Sequence, residues 1–253
     1  MNTFHKFGAF ALAGLLASTP ALAVSFGNNI TIADQHTSSK SWEGNYEDQE
    51  TEPGTVHSQQ WDLEGMFLDG TKLTLVGGYD FKNGYGGTRS GDIFVDINGN
   101  AQYGSTNSST SKNSNTKNLS GYDLVLDLDF VSMTFDVIEL IQGTSVVRTG
   151  TDIALSNPWR WVSGGTTLLE NISFSYLSGL TDVETGFKGG THHAISLDVS
   201  FLSGKDATFH NTMECGNDNL MGRAHVPDAG ATIGLLGLSL LGLAGVRRRF
   251  LKA

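Results

Sequence analysis

Between Tyr122 and Phe130 the chain alternates: Tyr122, Leu124, Leu126, Leu128 and Phe130 point one way, and Asp123, Asp127 and Asp129 the other. Successive side chains of a strand project to opposite faces, so this stretch predicts a sheet with one face in a core and one toward water. The same period recurs in Asp92 to Ile97, where Ile93, Val95 and Ile97 share a face. It recurs again from His193 to Leu202, with Ile195, Leu197, Val199 and Phe201 inward and Ser196, Asp198 and Ser200 outward. Shorter strands are expected at Asn29–Ala33, Trp61–Leu68, Lys72–Phe81, Met133–Ile141 and Ala207–Met213. Asp69-Gly70 between two of them is a hairpin signal. No segment has helical period in this region, and no repeat of fixed length is present. About ten short strands with Gly-rich turns predict an all-β body over 24–225, a single antiparallel β-sandwich of jelly-roll-like winding.

Two polar stretches interrupt the pattern. Residues 105–118 contain no apolar side chain and are expected to form a mobile loop inside one domain. Residues 42–54 are acidic and end at Pro53-Gly54, a turn signal. All 26 acidic residues but only 11 basic ones lie between residues 24 and 228, a formal −15. That argues against nucleic acid, or an anionic membrane surface, bound through a basic patch. Cys215 is the only cysteine, so no disulfide can form within the chain. His192 and His193 point to opposite faces of a strand and are read as structural.

The two ends carry export signals. His5 and Lys6, the apolar Phe7–Leu16 and the small-residue site Ala21-Leu22-Ala23 predict a signal peptide over 1–23. At the other end, Val226-Pro227-Asp228-Ala229-Gly230 precedes an apolar run and then Arg247, Arg248 and Arg249. Ala229 to Val246 is 18 residues without a charge. As a helix it would be about 27 Å long, near the hydrocarbon thickness of a bilayer. A transmembrane helix is therefore expected at about 229–246, with the Arg cluster holding its end in the cytoplasm. This tripartite arrangement over 226–253 resembles the PEP-CTERM class of sorting signals, in its VPDSG-type variant, with Ala229 where Ser is usual. The resemblance implies export, anchoring in the cytoplasmic membrane through the C-terminal helix, transient recognition and cleavage by an exosortase, and release to the cell surface or extracellular matrix. Several body segments, among them residues 47–54, 59–81, 90–104, 121–130, 156–161 and 213–222, are similar to an uncharacterised group of exported proteins with such signals. That likeness implies no activity.

Three constellations invite chemistry. Asp92, Asp96, Asn98 and Asn100 lie around an Asn-Gly turn and resemble the start of an oxygen-ligand loop for Ca2+, although an ordinary hairpin turn has the same composition. Asp48, Glu50 and Glu52 would share a strand face, as glycosidase carboxylates do, but Pro53 favours a loop. Trp159 and Trp161 flank Arg160 and could stack on the sugar rings of an extracellular polysaccharide, or fill the core instead. The leading expectation is a non-enzymatic exported sandwich protein. The alternatives are a carbohydrate-binding module, assisted by calcium or not, and a glycoside hydrolase.

Overall fold

The computed structural model describes residues 23–33, 47–52, 55–101, 114–150 and 156–228. The expected signal peptide, the transmembrane helix at about 229–246 and the Arg247–Arg249 cluster lie outside those residues. Among the described residues no helix is long and apolar enough to cross a membrane.

The body is all-β and antiparallel. Its strands are β1 (Asn28–Asn29), β2 (Leu63–Asp69), β3 (Lys72–Gly77), β4 (Ile93–Asp96), β5 (Asn115–Lys117), β6 (Leu124–Asp129) and β7 (Thr134–Glu139). They continue with β8 (Val146–Arg148), β9 (Arg160–Ser163), β10 (Thr166–Ser173), β11 (Ser175–Leu180), β12 (His192–Asp198), β13 (Asp206–Thr212) and β14 (Asn219–His225). One short helix, α1 (Asp182–Thr185), starts with a capping box between Thr181 and Glu184. One sheet has the order β1-β2-β3-β12-β11, the second β10-β7-β6-β4-β13-β14, and a small third sheet β5-β8-β9.

The first two sheets face each other across the main core, which takes Leu73, Leu75, Ile195 and Leu197 from one and Ile93, Val95, Leu124, Leu126 and Phe209 from the other. These are the alternating positions of the sequence, because only one face of each strand can reach the opposing sheet. The sheets join at one corner. The segment after β1 leaves β2 and pairs with β14 instead: Thr31 bridges Gly222, and Ile32 N–H donates to the Met221 carbonyl at 2.8 Å. Gly222 lets the two edges approach, since a Cβ there would fall 2.6 Å from Met66 Sδ.

Three expectations are corrected. The winding is not that of a jelly roll: β2-β3, β6-β7, β11-β12 and β13-β14 each stay in one sheet as hairpin pairs. The third sheet covers the outer face of the second, so Tyr122 and Val125 are buried there with Phe94, Ile138, Leu140 and Val147, and Tyr122 does not share the inward face of Leu124. The polar stretch 105–118 is not loop to its end: Asn115–Lys117 pair with β8, and Asn118 is buried with its Nδ2 donating to the Tyr122 carbonyl. Backbone pairing needs no apolar side chain, which is why composition misreads it.

Candidate functional site

The residues singled out around the Asn-Gly turn are not brought together. Asp92 precedes β4 and Asp96 ends it, and four strand steps set their Cα atoms about 13 Å apart. Both accept hydrogen bonds from amides of this chain. Asp92 accepts from Leu128 N–H at 3.2 Å and Trp161 N–H at 2.7 Å. Asp96 accepts from Asn98, Gly99 and Ala101 N–H at 3.0, 2.8 and 3.0 Å. Asn98 donates to Asp123 Oδ1 at 2.6 Å, and its own Oδ1 accepts from Asn100 N–H at 3.2 Å. The turn is an ordinary hairpin stapled by its own carboxylate, and Asp92 lies too far along the strand to share an ion with Asp96.

The pair of tryptophans is also divided. Trp159 is 0% exposed, its Nε1 donates to the Thr149 carbonyl, and the Arg89 guanidinium lies over its ring. It cannot stack on a sugar. Trp161 is half-buried, packs against the outer cluster and donates to the Gly164 carbonyl. The polysaccharide expectation is left with one partly exposed ring.

The carboxylates that do converge come from the acidic stretch and from β2. Residues 47–52 form a turn, with Gln49 at φ 62° and Glu50 N–H reaching back to the Glu47 carbonyl. Asn217 clamps the segment that follows, accepting from Glu52 and Val56 N–H. This turn folds over the 3-10 turn Gln59–Trp61, Asp62 and the start of β2. Gly78 makes the approach possible, because any Cβ there would collide with the Gln59 carbonyl. Glu64 is the extra residue of a β-bulge, since Leu63 pairs with Gly77 and Gly65 with Val76. A second bulge in β11 sets Leu180 opposite His192, at the same end of the sheet.

One carboxylate oxygen from each of Asp48, Asp62 and Glu64 lies within 4.8 Å of the others. Asp48 is held by Lys188 N–H at 3.2 Å and Asp62 by Gln49 N–H at 2.9 Å. Glu64 is held by His192 Nδ1 at 2.7 Å and Gln59 Nε2 at 2.6 Å. His192 Nε2 is 3.0 Å from Asp182 Oδ1, so both ring nitrogens are engaged. Asp62 is 0% exposed and Glu64 1%, yet no donor among the described residues reaches Asp62 Oδ1. Glu47, Glu50 and Asp218 are buried beside them.

The electrostatics follow from burial. Desolvation, then the charges of Glu64 and Asp48, push the Asp62 carboxyl well above the usual range despite the Gln49 and Glu50 amides. Glu64 is pushed up to about 7 by burial, against the pull of His192 and Gln59. Asp218 rises through burial and the neighbouring charges of Glu50, Asp62 and Glu47. Burial would lower His192, but its bonds to Glu64 and then Asp182 outweigh this and raise it. The site is thus a crowd of buried carboxyl groups whose charged forms burial disfavours, with His192 and Lys188 as cationic neighbours. Asp48, Asp62 and Glu64 are the residues placed to hold a metal. Reading the sequence missed Asp62, Glu64, Asp218 and His192 as a set; the one available signal was Asp62-Leu63-Glu64, two acids entering an otherwise apolar strand.

The C-terminal motif begins where the sandwich ends. Val226 is fully buried in the main core, its N–H donates to the Lys205 carbonyl at 2.9 Å, and its carbonyl accepts from Gly204 N–H at 2.8 Å. Pro227 and Asp228 follow it as exposed residues, while Ala229 and Gly230 lie outside the described residues. Residues 225–250 match the VPDSG-CTERM motif, so the chain carries a sorting signal of the PEP-CTERM-like kind, which marks an exported, surface-directed protein. No curated protein and no solved structure matches the chain.

Proposed function

We propose that this is a non-catalytic protein of the cell surface or extracellular matrix, delivered in three steps. A signal peptide over 1–23 directs export. An apolar helix at about 229–246 then holds the body at the cytoplasmic membrane. An exosortase finally cuts near Val226–Gly230 and frees the sandwich. The observation that carries this reading is the position of the sorting signal: among the described residues the last core side chain is Val226, and the exposed Pro227-Asp228 follows at once. A cut there leaves every described strand intact. The non-catalytic reading is supported by the burial of Asp62, which has no surface from which to reach a glycosidic oxygen.

Intact-mass measurement on protein recovered from the host surface tests the scheme. The expected chain begins at Val24 and ends within or just after the motif. Surface protein that still carries Arg247–Arg249 would overturn it.

A further inference from the structure

Asp48, Asp62 and Glu64 arrive from a turn, a turn exit and a bulged strand, and meet under one end of the first sheet. We propose that they form a binding site for a divalent hard cation of the calcium type.

Four observations carry this. The first is spacing: oxygens bound to one calcium at 2.3–2.6 Å lie no more than about 5 Å apart, and these three lie within 4.8 Å. The second is Asp62, wholly buried, whose Oδ1 meets no donor among the described residues while its Oδ2 is fixed by the Gln49 amide. A buried carboxylate oxygen left without a donor is costly, and a cation is the partner that this surrounding of carboxylates lacks.

The third is the support around the set. Each carboxylate is oriented from outside by a hydrogen bond: Asp48 by Lys188 N–H, Asp62 by Gln49 N–H, and Glu64 by His192 and Gln59. That is how metal ligands are held in place by their surroundings. The fourth is access. A depression of ≈ 320 Å³ whose lining includes Asn29, Thr31, Glu47, Asp48, Glu64 and Phe187 opens beside two of the three ligands, Asp48 and Glu64. It offers an entry path and room for water to complete the coordination shell.

The donor chemistry selects the ion. All three ligands are carboxylate oxygens, the only cysteine is not among them, and both nitrogens of His192 are taken by Glu64 and Asp182. Oxygen-only sets suit calcium and magnesium over zinc. The shell is assembled from separate segments and completed by water, which fits the adaptable geometry of calcium better than the strict octahedron of magnesium.

The test is calorimetric titration of the full chain, kept in mild detergent and stripped with EDTA, with calcium chloride and with magnesium chloride. Thermal unfolding is followed in parallel. One calcium per chain is expected, with a higher unfolding temperature and a smaller shift in magnesium. Asp62→Asn keeps the acceptor for Gln49 N–H but removes a charge. It should unfold at the same or a higher temperature without metal, and weaken calcium binding by about tenfold or more. Asp48→Asn, at a half-buried position that disturbs folding least, should weaken it likewise. A merely structural carboxylate would lower the metal-free unfolding temperature and leave the calcium shift in place. Absence of binding to the folded wild-type chain would overturn the proposal, as would a calcium shift that survives both substitutions.

Discussion

Strands β2 and β4 both carry acids at their ends, and the two sets have opposite fates. Around β4, Asp92 and Asp96 each meet amides of the loops and strands beside them, so every carboxylate oxygen has a donor. At the start of β2, Asp62 and Glu64 are turned by a bulge toward another acidic segment, and Asp62 keeps one oxygen without a donor. Acids next to a turn find their own backbone first, because the amides of the following residues are already within reach. Acids brought together from separate segments meet each other. The crowded set is therefore the one that calls for a cation, although the turn has the more familiar sequence.

The comparison can be broken at β4. Asp92→Ala leaves two buried amides, of Leu128 and Trp161, without an acceptor and unpins the third sheet from the second. A loss of about 3 kcal/mol is expected. Denaturant unfolding should show it equally with EDTA and with calcium. A loss that calcium restores would place a metal at Asp92 and dissolve the contrast.

A smaller effect comes from acid. His210 is buried against Tyr122 and Phe94 in the outer cluster, with Nε2–H donating to the Pro158 carbonyl. Burial lowers it from 6.5 to about 4. The unfolded chain then binds a proton that the folded chain refuses, so its stabilising effect is whole above pH 6.5 and is lost as pH falls toward 4. About 2 kcal/mol should be gone by pH 5. His210→Gln, which keeps a donor for Pro158, should flatten that limb. An unchanged limb in the variant would assign the acid loss to other groups.

Asp96→Ala should cost only about 1 kcal/mol, since water can reach the loop amides it serves. It should leave calcium binding unchanged. Asn98→Ala, which removes the bond to Asp123, should cost about 0.5 kcal/mol by the same measurement. A calcium response that fell with either substitution would move the cation to the turn.

Much of the fold was legible because β4, β6, β12 and β13 each send apolar side chains to the main core at every second position. Strands without that alternation were hidden. In β10, Leu168 and Leu169 are both exposed on a sheet edge, and in β14 Asn219 to Gly222 are all buried. Tyr122 lies before β6, which begins only at Leu124, and packs in the outer cluster. The C-terminal sorting signal was legible outright, since its motif, apolar run and Arg cluster are read from sequence alone. The acid site was not. Its ligands sit in turns and at a bulge, where period carries no information, and its frame includes a bond from Leu63 N–H to Asp218, 155 residues away in the chain.

The most direct test of the central claim is a crystal structure of the full chain grown with calcium. A density peak coordinated at about 2.3–2.6 Å by Asp48, Asp62 and Glu64 is the expected result. Calcium seated between Asp96 and Asn100, or those three carboxylates closed on one another by hydrogen bonds with no ion between them, would contradict it.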